Sequence, residues 1–186
     1  MTVTLNHRQT MSRGRVFDLV RDSITLQNGA HTDMDVIRHP GAAAIVAFPE
    51  PGQLLLVRQY RYPLDACIWE IPAGTLNPDE APLACARREL EEETGYCAGT
   101  WETLGSITPV PAYSDERIHL FVATELKTGR QQLDADEILN ARSVPWNKVM
   151  EMIPHGEIQD AKTISALFLA KLWLMDAPQT LSPSPG

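Results

Sequence analysis

Between positions 79 and 93 the chain carries six acids (Asp79, Glu80, Glu89, Glu91, Glu92, Glu93) against two arginines, Arg87 and Arg88. On a helix turning roughly 100° per residue, Glu89, Glu92 and Glu93 fall within about 100° of one another, away from Leu83, Ala86 and Leu90. Like charges at spacings of three and four destabilise an isolated helix by a few tenths of a kcal/mol per pair. They also sit toward the helix C-terminus, where the macrodipole disfavours anions. Such a face is either a solvated acidic surface or one completed by cations, and hard divalent ions such as Mg²⁺ or Mn²⁺ suit carboxylate oxygens.

The elements that must position these acids are legible from periodicity. Residues 80–94 read as a helix, with Leu83, Ala86 and Leu90 at spacings of three and four and Gly95 just past the end, where a glycine commonly stops a helix. Residues 42–48 form an apolar run that reads as a buried strand, Pro51-Gly52 a turn, and residues 53–60 the next strand. Residues 69–72 are short and extended. Strands are expected at 118–123 and 140–144, a short helix at 146–153, and a long amphipathic helix at 161–175 with Ile164, Leu167, Phe168 and Leu172 on one face. Upstream, residues 15–25 and 33–38 flank Gln27-Asn28-Gly29, a hairpin signal. The ribbon they make is too poor in apolar residues to stand alone. Strands alternating with two or three helices predict an α/β fold, a mixed sheet with helices on both faces.

The charged segment has a further regularity. Gly74, Glu80, Arg88, Glu89, Leu90, Glu92, Glu93, Gly95 and Tyr96 stand at the spacing G-x5-E-x7-R-E-U-x-E-E-x-G-U, where U is apolar. From average residue usage, a chance match in a chain of this size is on the order of one in ten million. In this the chain resembles the Nudix hydrolases, which cleave a nucleoside diphosphate linked to another group. Residues 57–63 (VRQYRYP) and 69–74 (WEIPAG), with Pro111 fifteen positions beyond Tyr96, are similar to the ADP-ribose pyrophosphatase branch, as are residues 133–138 and 160–164.

The resemblance implies the Nudix α/β/α sandwich, with a mixed sheet and an N-terminal β-ribbon, and an assignment of residues. Glu89 and Glu93 would ligate Mg²⁺ (or Mn²⁺), Glu92 would ligate it or position its water, and the carbonyl of Ala73 would be a further ligand. Gly74, Glu80 and Arg88 would support the loop and helix, with Arg88 holding Glu92. Glu137 would be the general base, with Glu92 as the other candidate; Asp134 and Asp136 lie close enough to Glu137 to compete, and a solvated loop carboxylate is the plain alternative. Arg61 would grip phosphate, since guanidinium matches phosphate oxygens; the plain alternative is an ion pair with Glu70 or Asp65. Glu116 would meet a metal or a ribose hydroxyl, or be a strand-edge acid. Arg38 would contribute from the ribbon.

The implied reaction is Mg²⁺-dependent hydrolysis of ADP-ribose to AMP and ribose 5-phosphate. The alternatives are a different nucleoside diphosphate sugar such as GDP-mannose, a dinucleotide, or a non-catalytic ADP-ribose sensor. The branch further implies a homodimer in which the ribbon exchanges between subunits. The expected organisation is a mobile arm at 1–14, a dimerising β-ribbon at 15–38, the hydrolase domain at 39–177 and a frayed tail at 178–186.

Composition agrees with a globular enzyme. The chain has 186 residues, 44% of them hydrophobic and 22% charged, and a net charge of −8, which gives no general attraction for nucleic acid or anionic membrane. No apolar run approaches the ~20 residues that span a bilayer, and the first fifteen residues lack a signal-peptide core. Cys67, Cys85 and Cys97 form an odd set without C-x-x-C spacing, which reads as reduced thiols in a cytoplasmic protein, with Cys85 packed rather than metal-bound. The five histidines show no metal-ligand spacing, and the four tryptophans read as core.

Overall fold

A computed structural model describes residues 2–133 and 139–176. The chain divides into two compact units, the first made of Met1–Gly41 and Thr108–Arg117, the second of the remainder.

The first unit is a three-stranded antiparallel sheet in the order β1-β2-β3, with β1 at Thr4–Arg13, β2 at Asp18–Thr25 and β3 at His31–Arg38. The β2–β3 hairpin turns at Asn28-Gly29, where Gly29 takes φ +83° and the Asn28 side chain accepts from the Ala30 N–H. Residues 4–13, expected as a mobile arm, instead form β1. Their side chains are exposed throughout and, Leu5 and Met11 excepted, not large apolar ones, so no alternation marks the strand. What holds it is the backbone ladder and cross-strand pairs, chiefly the Arg8 fork on Asp22 at 2.7 and 2.8 Å and Asn6 on Thr25.

Asp22 also accepts from Arg38 at 2.8 Å, and Arg38 reaches on to Asp115 at 2.9 Å. The hydrogen bond from Arg8, reinforced by Arg38, holds the Asp22 carboxyl at about 2. Because the folded value is depressed, this stabilisation is present above the unfolded pKa near 4 and is lost as pH falls through about 2. Asp22→Asn should therefore lower the unfolding free energy by about 1 kcal/mol at pH 7, the half-exposed Arg8 being screened by water. The deficit should shrink toward zero near pH 2 in urea titrations; a deficit independent of pH would contradict the assignment.

The second unit is built around β4 (Ala42–Ala47), the apolar run, in which every residue is buried. A strand covered on both faces reads as continuously apolar. Ala42, Ala44 and Val46 pack with residues of α2 (Trp146–Met152) and α3 (Ala161–Asp176), including Trp146, Val149, Ala166, Leu167 and Ala170. Ala43, Ile45 and Ala47 pack with Cys85, Ala86 and Leu90 of α1 (Pro82–Thr94) on the other face. This is the α/β/α sandwich. The sheet is mixed, in the order β7-β4-β9-β8, with β4 parallel to β9 and the other pairs antiparallel; β7 is Ala73–Thr75, β8 Tyr96–Ile107 and β9 Ile118–Thr128. A second, antiparallel sheet runs β10-β5-β6, with β5 at Gln53–Arg61, β6 at Ala66–Glu70 and β10 at Leu139–Pro145.

Three differences from the periodicity have local causes. β8 was not expected, because its mostly exposed, polar sequence hides a twelve-residue strand, with a register shift near Gly105 at φ +96°. The inward face of α3 is Thr163, Ala166, Leu167, Ala170 and Leu174, whereas Phe168 and Leu172 are 59% and 44% exposed. Three of these five inward residues are small, Thr163, Ala166 and Ala170. Helix α1 starts at Pro82 rather than Glu80, since Glu80 is turned back on the preceding loop to accept from the Asn77 N–H at 2.9 Å.

Candidate functional site

The acidic helix face is not a solvated surface. Glu89 and Glu93, one turn apart on α1, are 8% and 1% exposed. They face β7, which pairs with β4 through Ala43 and Gly74 and so fixes the backbone against which the carboxylates lie. The Ala73 N–H donates to the Glu93 carboxylate at 3.1 Å. At Gly74 the approach is closer still: a Cβ would fall 1.9 Å from the Glu89 carboxylate carbon and one of its oxygens. Only glycine leaves room. Gly74→Ala should therefore displace Glu89 and cost at least about tenfold in kcat/KM, with divalent-metal affinity falling alongside. Wild-type metal affinity in this variant would show that the contact is dispensable.

Arg88 is the hub between loop and helix. Its Nε and Nη2 donate to both oxygens of Glu80 at 2.9 Å, and Nη1 donates to Glu89 at 2.6 Å and to Glu92 at 3.0 Å. Nη2 also reaches the Thr75 carbonyl at 3.1 Å, tying β7 to the helix. The Arg88 hydrogen bonds hold the Glu80 carboxyl at about 2, and the same carboxylates push the guanidinium pKa upward. Glu92, whose side chain is 41% exposed, is the member of the cluster that faces water. Behind the loop lies Cys85, fully buried with its thiol directed to the Gly74 and Thr75 carbonyls; burial, then the charge of Glu89, pushes its pKa up to about 12. It is a packed, protonated thiol.

Among the described residues, no three acidic, histidine or cysteine side chains already converge as a metal cage. Arg88 bridges Glu89 and Glu92 at the distances given above. The donor set nevertheless fits a hard divalent cation: buried carboxylate oxygens one turn apart, a third carboxylate at the water-facing edge, and backbone left bare of side chain at Gly74. A cation bound there would compete with Arg88 for Glu89.

Of the other expected residues, Arg61 donates from Nε and Nη2 to both oxygens of Glu70 at 2.7 Å, the ion pair left open as its alternative. Glu70 is 1% exposed and also pairs with Lys162. Burial pushes the Glu70 carboxyl up, but Arg61 and Lys162 outweigh it and the net shift is downward. Lys162 continues to Asp160, which accepts from the Thr163 hydroxyl at 2.6 Å, while that hydroxyl accepts from the Ile71 N–H at 3.0 Å. This chain of partners was not anticipated; its one signal was the acid-lysine-threonine cluster at the start of α3. Arg38 and Glu116 belong to the first unit. There Arg38 is engaged by Asp22 and Asp115, and Glu116 lies 3.8 Å from His39. Glu137, with Asp134 and Asp136, falls outside the described residues.

Comparison with known proteins agrees with this geometry. Residues 38–167 match the NUDIX domain family. The chain is 36% identical over 162 residues to an ADP-ribose pyrophosphatase of Bacillus subtilis (strain 168), covering 86% of this chain and 88% of that protein. It is 40% identical over 166 residues to a methanol dehydrogenase activator of Bacillus methanolicus, covering 88% and 89%. The crystal structure of an ADP compounds hydrolase superposes with a TM-score of 0.83 at 24% identity over 95% of this chain and 96% of that one, a likeness of fold.

Proposed function

The chain belongs to the Nudix domain family, and from that premise we propose that it hydrolyses the pyrophosphate bond of ADP-ribose to AMP and ribose 5-phosphate with Mg²⁺. The observation that carries the reading is the burial of Glu89 and Glu93 against a bare glycine backbone, with Arg88 bracing the third carboxylate. The substrate follows from the 36% identity to an ADP-ribose pyrophosphatase over most of both chains.

Glu89, Glu93, Glu92 and the Ala73 carbonyl would hold the divalent cation, which supplies charge neutralisation for the pyrophosphate and a more acidic water. The remaining work belongs to the chain itself. Arg88 fixes the Glu92 rotamer so that its carboxylate stays at the water-facing edge, where it can take the proton of the attacking water. Glu137 is the other candidate for that proton. The water oxygen bonds to one phosphorus, the bridging P–O bond breaks, and AMP and ribose 5-phosphate leave. Arg61, held in place by Glu70, would meet a phosphate when substrate binding draws one edge of its guanidinium from that pair. Positioning and electrostatics therefore account for most of the rate.

The exposed strand β1, with Leu5 and Met11 about half exposed on it and Val3 just before it, supports a homodimer formed through the N-terminal ribbon, which light scattering of the purified protein tests as a mass of twice 20.7 kDa. No helix among the described residues is long and apolar enough to cross a membrane; a cytoplasmic location is our reading of the three free cysteines.

The substrate assignment is tested by an equimolar panel of ADP-ribose, GDP-mannose, UDP-glucose, NADH, a diadenosine polyphosphate and 8-oxo-dGTP, with products read by mass spectrometry. ADP-ribose should show the highest kcat/KM. Cleavage of another member with ADP-ribose intact would overturn the substrate and leave the chemistry standing.

A further inference from the structure

The last turn of α1 poses a problem that the helix does not solve by itself. It carries Glu91, Glu92 and Glu93 in succession, with no basic residue in that turn. The carbonyls of a last turn have no intrahelical donors, and the dipole there is negative. Helix ends fray, and Glu93 is the penultimate residue of this one. Left alone, a metal-binding carboxylate would sit on the least stable turn of its helix.

Three donors meet these carbonyls. The Gly95 N–H bonds the Glu91 carbonyl at 2.8 Å, the helix's own left-handed stop. The other two come from the segment after β9. The Gln132 N–H donates to the Glu92 carbonyl at 2.9 Å, and the Gln131 side-chain amide donates to the Glu93 carbonyl at 2.6 Å. Two glycines let this segment close on the helix end. The Gly129 N–H donates to the Gly95 carbonyl at 2.6 Å. A Cβ on Gly129 would stand 3.0 Å from Cys97 Sγ and from a Glu91 carboxylate oxygen, and one on Gly95 3.1 Å from the Gln131 nitrogen. Gly95 thus does more than end the helix: it is the floor on which Gln131 sits.

We infer that Gln131 is a positioning residue for the divalent-cation site, a side-chain cap that keeps the Glu92–Glu93 turn wound and so holds both carboxylates in the geometry that binds metal. It acts through the Glu93 backbone and touches neither substrate nor cation. The inference rests on the reading that the Glu89–Glu93 face holds the cation. It goes beyond that reading by assigning part of the affinity to a residue 38 positions away in sequence.

The test is Mn²⁺ binding by calorimetry, with metal-free thermal unfolding alongside, for wild type, Gln131→Ala, Gln131→Glu and Glu93→Gln. Wild type should bind Mn²⁺, and Glu93→Gln should lose the binding event, which assigns it to this face. Gln131→Ala should weaken it about fivefold, as expected for one lost hydrogen bond. Gln131→Glu, nearly the same size but presenting an acceptor to the carbonyl, should weaken it more. In turnover, the metal concentration for half-maximal rate should rise by more than kcat at saturating metal falls. Unchanged Mn²⁺ affinity in both Gln131 variants, with only the melting temperature lowered, would overturn the inference and leave the metal site standing. Absence of Mn²⁺ binding in wild type would overturn both.

Discussion

Glu93→Gln should reduce ADP-ribose turnover by about a thousandfold or more at fixed Mg²⁺ while leaving the metal-free protein folded. The side chain is 1% exposed and takes a hydrogen bond from the Ala73 N–H. Glutamine has the same shape, and its carbonyl oxygen can accept that bond, so packing is preserved. What disappears is the charge. Removing a ligand oxygen of full charge from a divalent site forfeits the Lewis-acid contribution, which is worth several kcal/mol in the transition state. Removing one of three like charges from a helix face relieves repulsion of a few tenths of a kcal/mol per pair, which offsets part of the lost attraction to Arg61. A merely structural Glu93 predicts the reverse, a less stable protein with its activity retained. Turnover above about a tenth of wild type would contradict the role given to Glu93.

The second large effect falls on Arg88. Arg88→Ala leaves Glu80, Glu89, Glu92 and the Thr75 carbonyl without the donor they share. Breaking a buried ion pair from one side costs about 3–5 kcal/mol; with Arg88 28% and Glu80 14% exposed at the side chain, water screens part of that, and about 2–3 kcal/mol is expected at pH 7. Lysine cannot reproduce a fork that grips both oxygens of Glu80, so Arg88→Lys should recover less than half of the loss. The pH dependence has a definite sign. Arg88 holds Glu80 at about 2, so its contribution is complete above the unfolded value near 4.3 and is lost as pH falls through about 2. The difference in unfolding free energy between wild type and Arg88→Ala, measured in urea from pH 7 to pH 2, should therefore narrow with acidification. A widening difference would contradict the hub.

These two residues were legible in the sequence because their spacing is local: a helix of known pitch converts positions 88, 89, 92 and 93 into a face. The same holds for β4, whose apolar run announced two-sided burial, and for Gly95 as a helix stop. Interactions between distant segments were less visible. Strand β1 is held by a backbone ladder and by the Arg8–Asp22 pair, neither of which leaves a periodic trace. The inward face of α3 sets Thr163, Ala166 and Ala170 beside Leu167 and Leu174, and small residues carry little weight in a periodicity that rests on large apolar ones. Arg61 reads from the sequence as a phosphate ligand or an ion pair, and strand pairing alone does not choose between them, since Arg61 lies opposite Ala66 and Glu70 opposite Val57. Gln131 has no signal at all, since a cap from 38 residues away looks like any polar residue after a strand.

Metal-dependent cleavage of one bond is tested by a single incubation of purified protein with ADP-ribose, with Mg²⁺ or with a chelator, and with products identified by mass. AMP and ribose 5-phosphate should appear in equal amounts with Mg²⁺, not at all with the chelator, and again when Mg²⁺ is restored in excess. ADP-ribose left intact in the presence of Mg²⁺, or cleaved equally well under chelation, would contradict metal-dependent cleavage.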